Sequence, residues 1–80
     1  MRYEEFRMER PNLVKPGDKV KITERPNGTL YSYIIEPSVA MSGIFRTNTR
    51  IKSSEGIVSE IKDTPRGFEV VVEFDEESVR

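Results

Sequence analysis

Tyr31 and Tyr33 stand two positions apart in Leu30-Tyr31-Ser32-Tyr33-Ile34-Ile35, and Arg46, Arg50 and Lys52 follow within Met41 to Lys52, a stretch without an acid. Guanidinium and ammonium groups contact phosphates, and aromatic rings offer bases a stacking surface. These five residues are therefore the candidate ligand-binding set of a nucleic-acid-contacting face. The plainer alternative makes both tyrosines core residues with their hydroxyls at the rim, and the arginines a solvated strand face paired with nearby acids. Thirteen Lys and Arg against fourteen Asp and Glu leave a net charge of -1. That balance lacks the electrostatic footprint of a general nucleic-acid binder.

Tyr31, Tyr33, Pro37 and Phe45 also suit a groove for an extended peptide, with the acids from Glu73 to Glu77 selecting basic segments. Pairing of a partner strand with an exposed edge is a related route, and homodimerisation through such an edge suits a small core. The partner is thus a protein or a nucleic acid, and these residues leave that choice open.

Catalysis has little to draw on. The chain has no cysteine and no histidine, which removes thiolate nucleophiles, imidazole bases, disulfides and the usual zinc ligand sets. Thr23, Ser32, Ser53 and Ser54 have no imidazole to activate them. Asp75-Glu76-Glu77 lacks the alternating oxygen ligands of a calcium loop, and the five glycines are too scattered to cradle a phosphate. The expectation is a non-enzyme without cofactor or metal.

The elements that must position these side chains belong to one small domain. Eighty residues bury a modest core, and 35% hydrophobic against 34% charged residues describe a thin core under a heavily solvated surface. No apolar run approaches the length of a membrane helix, and Met1-Arg2-Tyr3-Glu4-Glu5 lacks the basic start and apolar centre of a signal peptide, so no membrane and a cytoplasmic location are expected.

Lys15-Pro16-Gly17-Asp18 is a turn signature, with Pro setting φ at the first central position and Gly accepting positive φ at the second. It launches a strand over Asp18 to Glu24 in which Val20 and Ile22 alternate with polar residues. Arg25-Pro26-Asn27-Gly28 turns the chain into a second strand, Thr29 to Ile35, apolar on both faces. Pro37 to Ser42 is expected as one short helical turn, and Ile44 to Ile51 as a strand with Phe45, Thr47, Thr49 and Ile51 on one side. Gly56 to Lys62 and Phe68 to Phe74 flank a turn at Asp63 to Gly67, with Phe68, Val70, Val72 and Phe74 inward and Val71 near an edge. Tyr3, Phe6 and Met8 among charges suggest an N-terminal arm that frays or docks on the body.

Pro16-Gly17-Asp18-x-Val20-x-Ile22, Glu55-Gly56-x-Val58-x-x-Ile61 and Val70-x-Val72-Glu73 together resemble the KOW-type, SH3-like barrels of ribosomal proteins and transcription elongation factors. The resemblance implies that Gly56 lets its strand bend sharply, with Val58 and Ile61 filling the barrel on either side of an irregularity. The residues agree, since a spacing of three between inward positions breaks the strand period as a bulge does. More than thirty residues, Thr23 to Glu55, intervene where KOW units carry a short loop, so an SH3-like barrel fits better than a true KOW domain, and residues 23–55 are either barrel strands or an appended hairpin.

The expected architecture is an all-β, small SH3-like barrel of about five antiparallel strands with one short helical turn: an arm over residues 1–14, the barrel over 15–75 and an acidic tail over 76–80. The expected function is a non-catalytic binding or regulatory module in a nucleic-acid or nucleoprotein context. A protein-interaction adaptor or homodimeric accessory protein is the alternative.

Overall fold

The structure, a computed structural model, describes residues 1–77. The last part of the expected acidic tail, residues 78–80, lies outside the described residues. Strands β1 (Arg2–Met8), β2 (Lys19–Asn27), β3 (Leu30–Ile35), β4 (Ala40–Ser42), β5 (Phe45–Arg46), β6 (Glu55–Thr64) and β7 (Gly67–Phe74) form one sheet, with a 3₁₀ turn at Thr47–Thr49. The order β2-β6-β7-β1-β4-β3 closes on itself through the β2–β3 pairing, and β5 lies outside on β3. The fold is an all-β closed barrel of six strands plus one outer strand, which a small SH3-like barrel fits.

Local chemistry accounts for the hairpins. Gly17 takes φ 93° after Pro16, and the Asp18 amide donates to the Lys15 carbonyl at 3.1 Å, as the turn signature predicts. Asn27 pairs with Leu30 around a two-residue loop in which Gly28 has φ 66°. The β6–β7 hairpin pairs Thr64 with Gly67. Val58 stays opposite Val72, but the register slips before Glu60 meets Val71. Ser59 is the extra residue, so the irregularity falls between Val58 and Ile61 as the spacing predicts. At Gly56 a Cβ would lie 2.6 Å from Val72 Cγ1 and 2.8 Å from the Glu73 carbonyl oxygen. Only glycine lets β6 cross β7 that closely.

The barrel interior is filled by Phe6, Met8, Val20, Tyr33, Ile35, Val58, Val70, Val72 and Phe74, with Phe45 and Ile51 at one end. Several elements differ from expectation. The segment expected as an arm contributes β1, which pairs with β7 from Arg2 to Met8 and with β4 at Phe6 and Arg7. Its period of two is exact in burial, yet two of its inward residues are Arg2 and Glu4, so hydrophobicity alone conceals it. There are seven strands rather than about five. Residues 23–55 supply barrel strands β3 and β4, and only β5 is appended.

In the region expected as a helical turn, Pro37 to Ser42, a turn over residues 36–39 gives way to β4, and a 3₁₀ turn interrupts the strand expected over Ile44 to Ile51. There the Thr49 hydroxyl accepts from the Arg46 amide at 3.0 Å and donates to the Arg46 carbonyl at 3.2 Å. This local closure competes with the ladder, as Thr side chains commonly do. Val71 faces outward on β7 between β6 and β1, away from any sheet edge.

Candidate functional site

The five sequence-predicted site residues have separate fates. Tyr33 is 1% exposed inside the barrel. Its hydroxyl donates to Glu24 Oε2 at 2.7 Å and accepts from the Ile51 amide at 2.9 Å. Arg50 grips the same carboxylate with two donors, Nε to Oε2 at 3.0 Å and Nη2 to Oε1 at 2.6 Å, and lies over the Tyr31 ring at 4.3 Å. Hydrogen bonds from Arg50 and Tyr33 hold the Glu24 carboxyl below its ordinary range, and burial, followed by the bond to Glu24, pushes the Tyr33 hydroxyl up. Tyr31, Tyr33 and Arg50 thus converge on Glu24, which binds β2 to β3 and to the segment after the 3₁₀ turn. Arg46 and Lys52 are exposed and stand outside this cluster.

The four-residue groove of Tyr31, Tyr33, Pro37 and Phe45 is not assembled. Phe45 is buried edge-on against Tyr33, with ring centroids 5.5 Å apart and planes at 75°, while Pro37 lines a groove elsewhere. Glu76 is also engaged: its carboxylate accepts from the Ser53 amide at 2.8 Å, the Lys52 amide at 3.1 Å and Arg2 Nη1 at 3.1 Å. Burial pushes the Glu76 carboxyl up, but these bonds outweigh it and leave it below its ordinary range.

Another surface emerges from the strand pairings. β4 meets β1 at Phe6 and Arg7 only, and beyond Gly43 the chain leaves β1 for β3, where β5 pairs with Leu30 and Tyr31. A V-shaped seam therefore opens between the first half of β1 and β5. Its inner side is sealed by Arg2, 1% exposed, whose guanidinium donates to Glu4 Oε2 at 2.7 Å, to the Arg50 carbonyl at 2.7 Å and to the Thr49 carbonyl, and sits 5.6 Å from the Phe45 ring centre. Charge-assisted bonds in a desolvated setting are strong and directional, so the side chain replaces a missing strand contact.

Outside the seal runs a groove of about 990 Å³ edged by Tyr3, Glu5, Ile44, Arg46 and Glu60. A second groove of about 980 Å³ lies over β1, β4 and β3, with Leu13, Pro37, Val39 and Met41 around Ile34. Glu5 and Gly43 line both grooves, which therefore adjoin at these two residues and together are called the channel. Ile34 faces outward yet is only 7% exposed. Tyr3, Leu13, Met41 and Ile44, four of the seven exposed large apolar side chains among the described residues, line the channel. Concentrated apolar exposure of this kind marks interaction surfaces, whereas scattered exposure does not.

Sequence reasoning missed Tyr3, Glu5, Met41, Gly43 and Ile44. The signal that points to Tyr3 and Glu5 is the alternation of Arg2, Glu4, Phe6 and Met8 against Tyr3, Glu5 and Arg7, which reads as a strand once charged residues are admitted to the inner face.

Among the described residues no cluster of three or more acids is arranged to hold a metal, and no helix is long and apolar enough to cross a membrane. Comparison of the chain with protein-family models, with curated proteins and with solved structures found no match, so the site is read from its geometry alone.

Proposed function

We propose that this chain is a non-catalytic binding module of the cytoplasm that holds an extended segment of a protein partner in the channel formed by the two grooves. The observation that carries this reading is the placement of Tyr3, Leu13, Met41 and Ile44 on two adjoining grooves that share Glu5 and Gly43. Apolar and aromatic anchors framed by charge are what short peptide segments dock against. The nucleoprotein context implied by the KOW-like pattern has narrower support, because Arg50 and Tyr33 are engaged with Glu24 and leave Arg46 and Lys52 as the exposed bases of that set.

The test is a random-peptide display selection followed by amide NMR titration of the ¹⁵N-labelled protein. Selected peptides are expected to shift Tyr3, Glu5, Gly43 and Ile44, and to lose affinity for Gly43→Val. A Cβ at Gly43 meets nothing within 4 Å, so a side chain there starts in open space where the two grooves adjoin, and the variant is expected to melt with wild type. Failure to select any peptide, or selected binding that ignores Gly43→Val, would overturn the reading. Saturable, salt-sensitive binding of DNA or RNA through Arg46 and Lys52 would replace it with the nucleic-acid one.

A further inference from the structure

Building on the channel reading, we infer that its occupant is a protein segment carrying a Lys or Arg followed two residues later by an aromatic or large apolar residue, and that it adds as an antiparallel strand to the open edge of β1. Three observations converge. β1 carries β7 along its whole length on one side, while on the other β4 leaves after Phe6, so that among the described residues no strand flanks β1 toward its N-terminus on that side. Backbone donors and acceptors on such an edge are a template for strand addition. The Arg2 bonds to Thr49 and Arg50 already close the core behind this edge, so an added strand lies against a sealed wall.

The outward side chains dictate what that strand must carry. Glu5 is opposite Val71, which is opposite Glu60, and Glu60 has Lys62 as an ion-pair partner at 3.6 Å. Glu5 is exposed, and its carboxylate has no ion pair or hydrogen bond among the described residues. It stands where the two grooves meet. A cation directly across from Glu5 completes that charge, since cross-strand pairs of opposite sign stabilise and like pairs oppose.

Two residues further along β1 is Tyr3, 51% exposed, with Ile44, 66% exposed, on the opposite wall of the groove. In antiparallel pairing the residue opposite Tyr3 comes two after the one opposite Glu5, and an aromatic or large apolar side chain there covers both. The residue between them points to the Arg2 seal and has to be small. On the other side of the cation the segment passes over Gly43, whose bare Cα gives it room, into the hollow around Met41 and Leu13.

The probe is a fluorescein-labelled heptapeptide, Thr-Leu-Thr-X-Ser-Phe-Thr, with X as Lys, Gln or Glu, titrated by anisotropy against the wild type, Glu5→Lys and Gly43→Val. The Lys peptide is expected to bind wild type roughly fivefold tighter than the Glu peptide, and Glu5→Lys to invert that order. A wild type that prefers Glu or is indifferent to X, while Gly43→Val still abolishes binding, overturns this inference and leaves the channel reading standing. Binding of all three peptides unaffected by Gly43→Val overturns both. Concentration-dependent amide shifts at Tyr3 and Glu5 without peptide would identify the occupant as a second copy of the chain, and this too overturns the inference.

Discussion

Arg2 and Glu4, two residues apart on β1, form an ion pair of 2.7 Å with 1% and 4% of their side-chain surface exposed. Both point inward in a strand whose outward neighbours are Tyr3 and Glu5, so this charged pair occupies positions that Phe6 and Met8 fill with hydrocarbon further along. A buried pair of this kind is held by its remaining hydrogen bonds as much as by its mutual attraction. Here those bonds go to the Arg50 and Thr49 carbonyls and to Glu76, linking the start of β1 to the end of the 3₁₀ turn and to the segment after β7.

Removing Arg2 takes from the buried Glu4 carboxylate the counter-charge that lies 2.7 Å away. Arg2→Met is expected to lose about 3–5 kcal/mol, the usual cost of breaking such a pair from one side. That is a large share of the stability of a domain this small. Arg2→Met with Glu4→Leu is expected to recover part of the loss by removing the buried carboxylate as well. Urea unfolding followed by circular dichroism measures both, and a single variant as stable as wild type would show that the pair contributes nothing.

The two carboxyls held below their ordinary range predict acid sensitivity. Glu24 is kept ionised by Arg50 and Tyr33, and Glu76 by the Ser53 and Lys52 amides and Arg2 despite its burial. A group whose pKa falls on folding contributes stability that is complete above the ordinary carboxylate range, near pH 4.3, and is lost as pH falls through the folded-state value. The melting temperature is therefore expected to be flat between neutrality and about pH 5 and to drop below it. Glu24→Gln and Glu76→Gln should each melt lower than wild type at neutral pH and show a shallower acid drop. Parallel melting curves across pH 3 to 7 for wild type and both variants would rule these groups out as the cause.

Two glycines separate a backbone requirement from open space. A Cβ at Gly56 would press on Val72 Cγ1 at 2.6 Å and Phe74 Cδ1 at 2.9 Å, with the Glu73 carbonyl at 2.8 Å, whereas one at Gly43 meets nothing within 4 Å. Gly56→Ala is expected to cost about 1–3 kcal/mol by overpacking where β6 crosses β7. Gly43→Ala should lie within about 0.5 kcal/mol of wild type. Thermal melts of the two purified variants decide it, and equal melting temperatures would contradict the crossing geometry.

The parts of this fold legible in the sequence are those whose information is short-range. Pro16-Gly17, Asn27-Gly28 and Pro65-Arg66-Gly67 specify turns through φ alone, and the three-residue spacing from Val58 to Ile61 reveals the slip at Ser59. β1 was hidden because hydrophobic alternation is the signal for a strand, and Arg2 and Glu4 break it while keeping the burial period. The strand expected after Gly43 ends early: Thr47 and Thr49 have good strand propensity, but the Thr49 hydroxyl turns back on Arg46. The dispersal of the expected site residues has a related reason. Tyr33 and Arg50 have the right chemistry for a ligand, but Glu24 arrives from 26 residues away to take Arg50, a pairing that no local pattern encodes.

Tyr33 gives the sharpest test of that internal role. Its hydroxyl is the acceptor for the buried Ile51 amide at 2.9 Å and a donor to Glu24 at 2.7 Å, while its ring packs on Phe45. Tyr33→Phe preserves the ring and strands the amide, and a buried donor left without an acceptor costs about 1–3 kcal/mol. Exchange of the Ile51 amide with deuterium should accelerate in Tyr33→Phe more than that of Val70 or Val72 in the β7 core, because the loss is local before it is global. Peptide binding in the channel should be unchanged, since Tyr33 lines neither groove. A tyrosine acting as a stacking platform would give the reverse pattern, with stability and Ile51 exchange retained and ligand affinity altered.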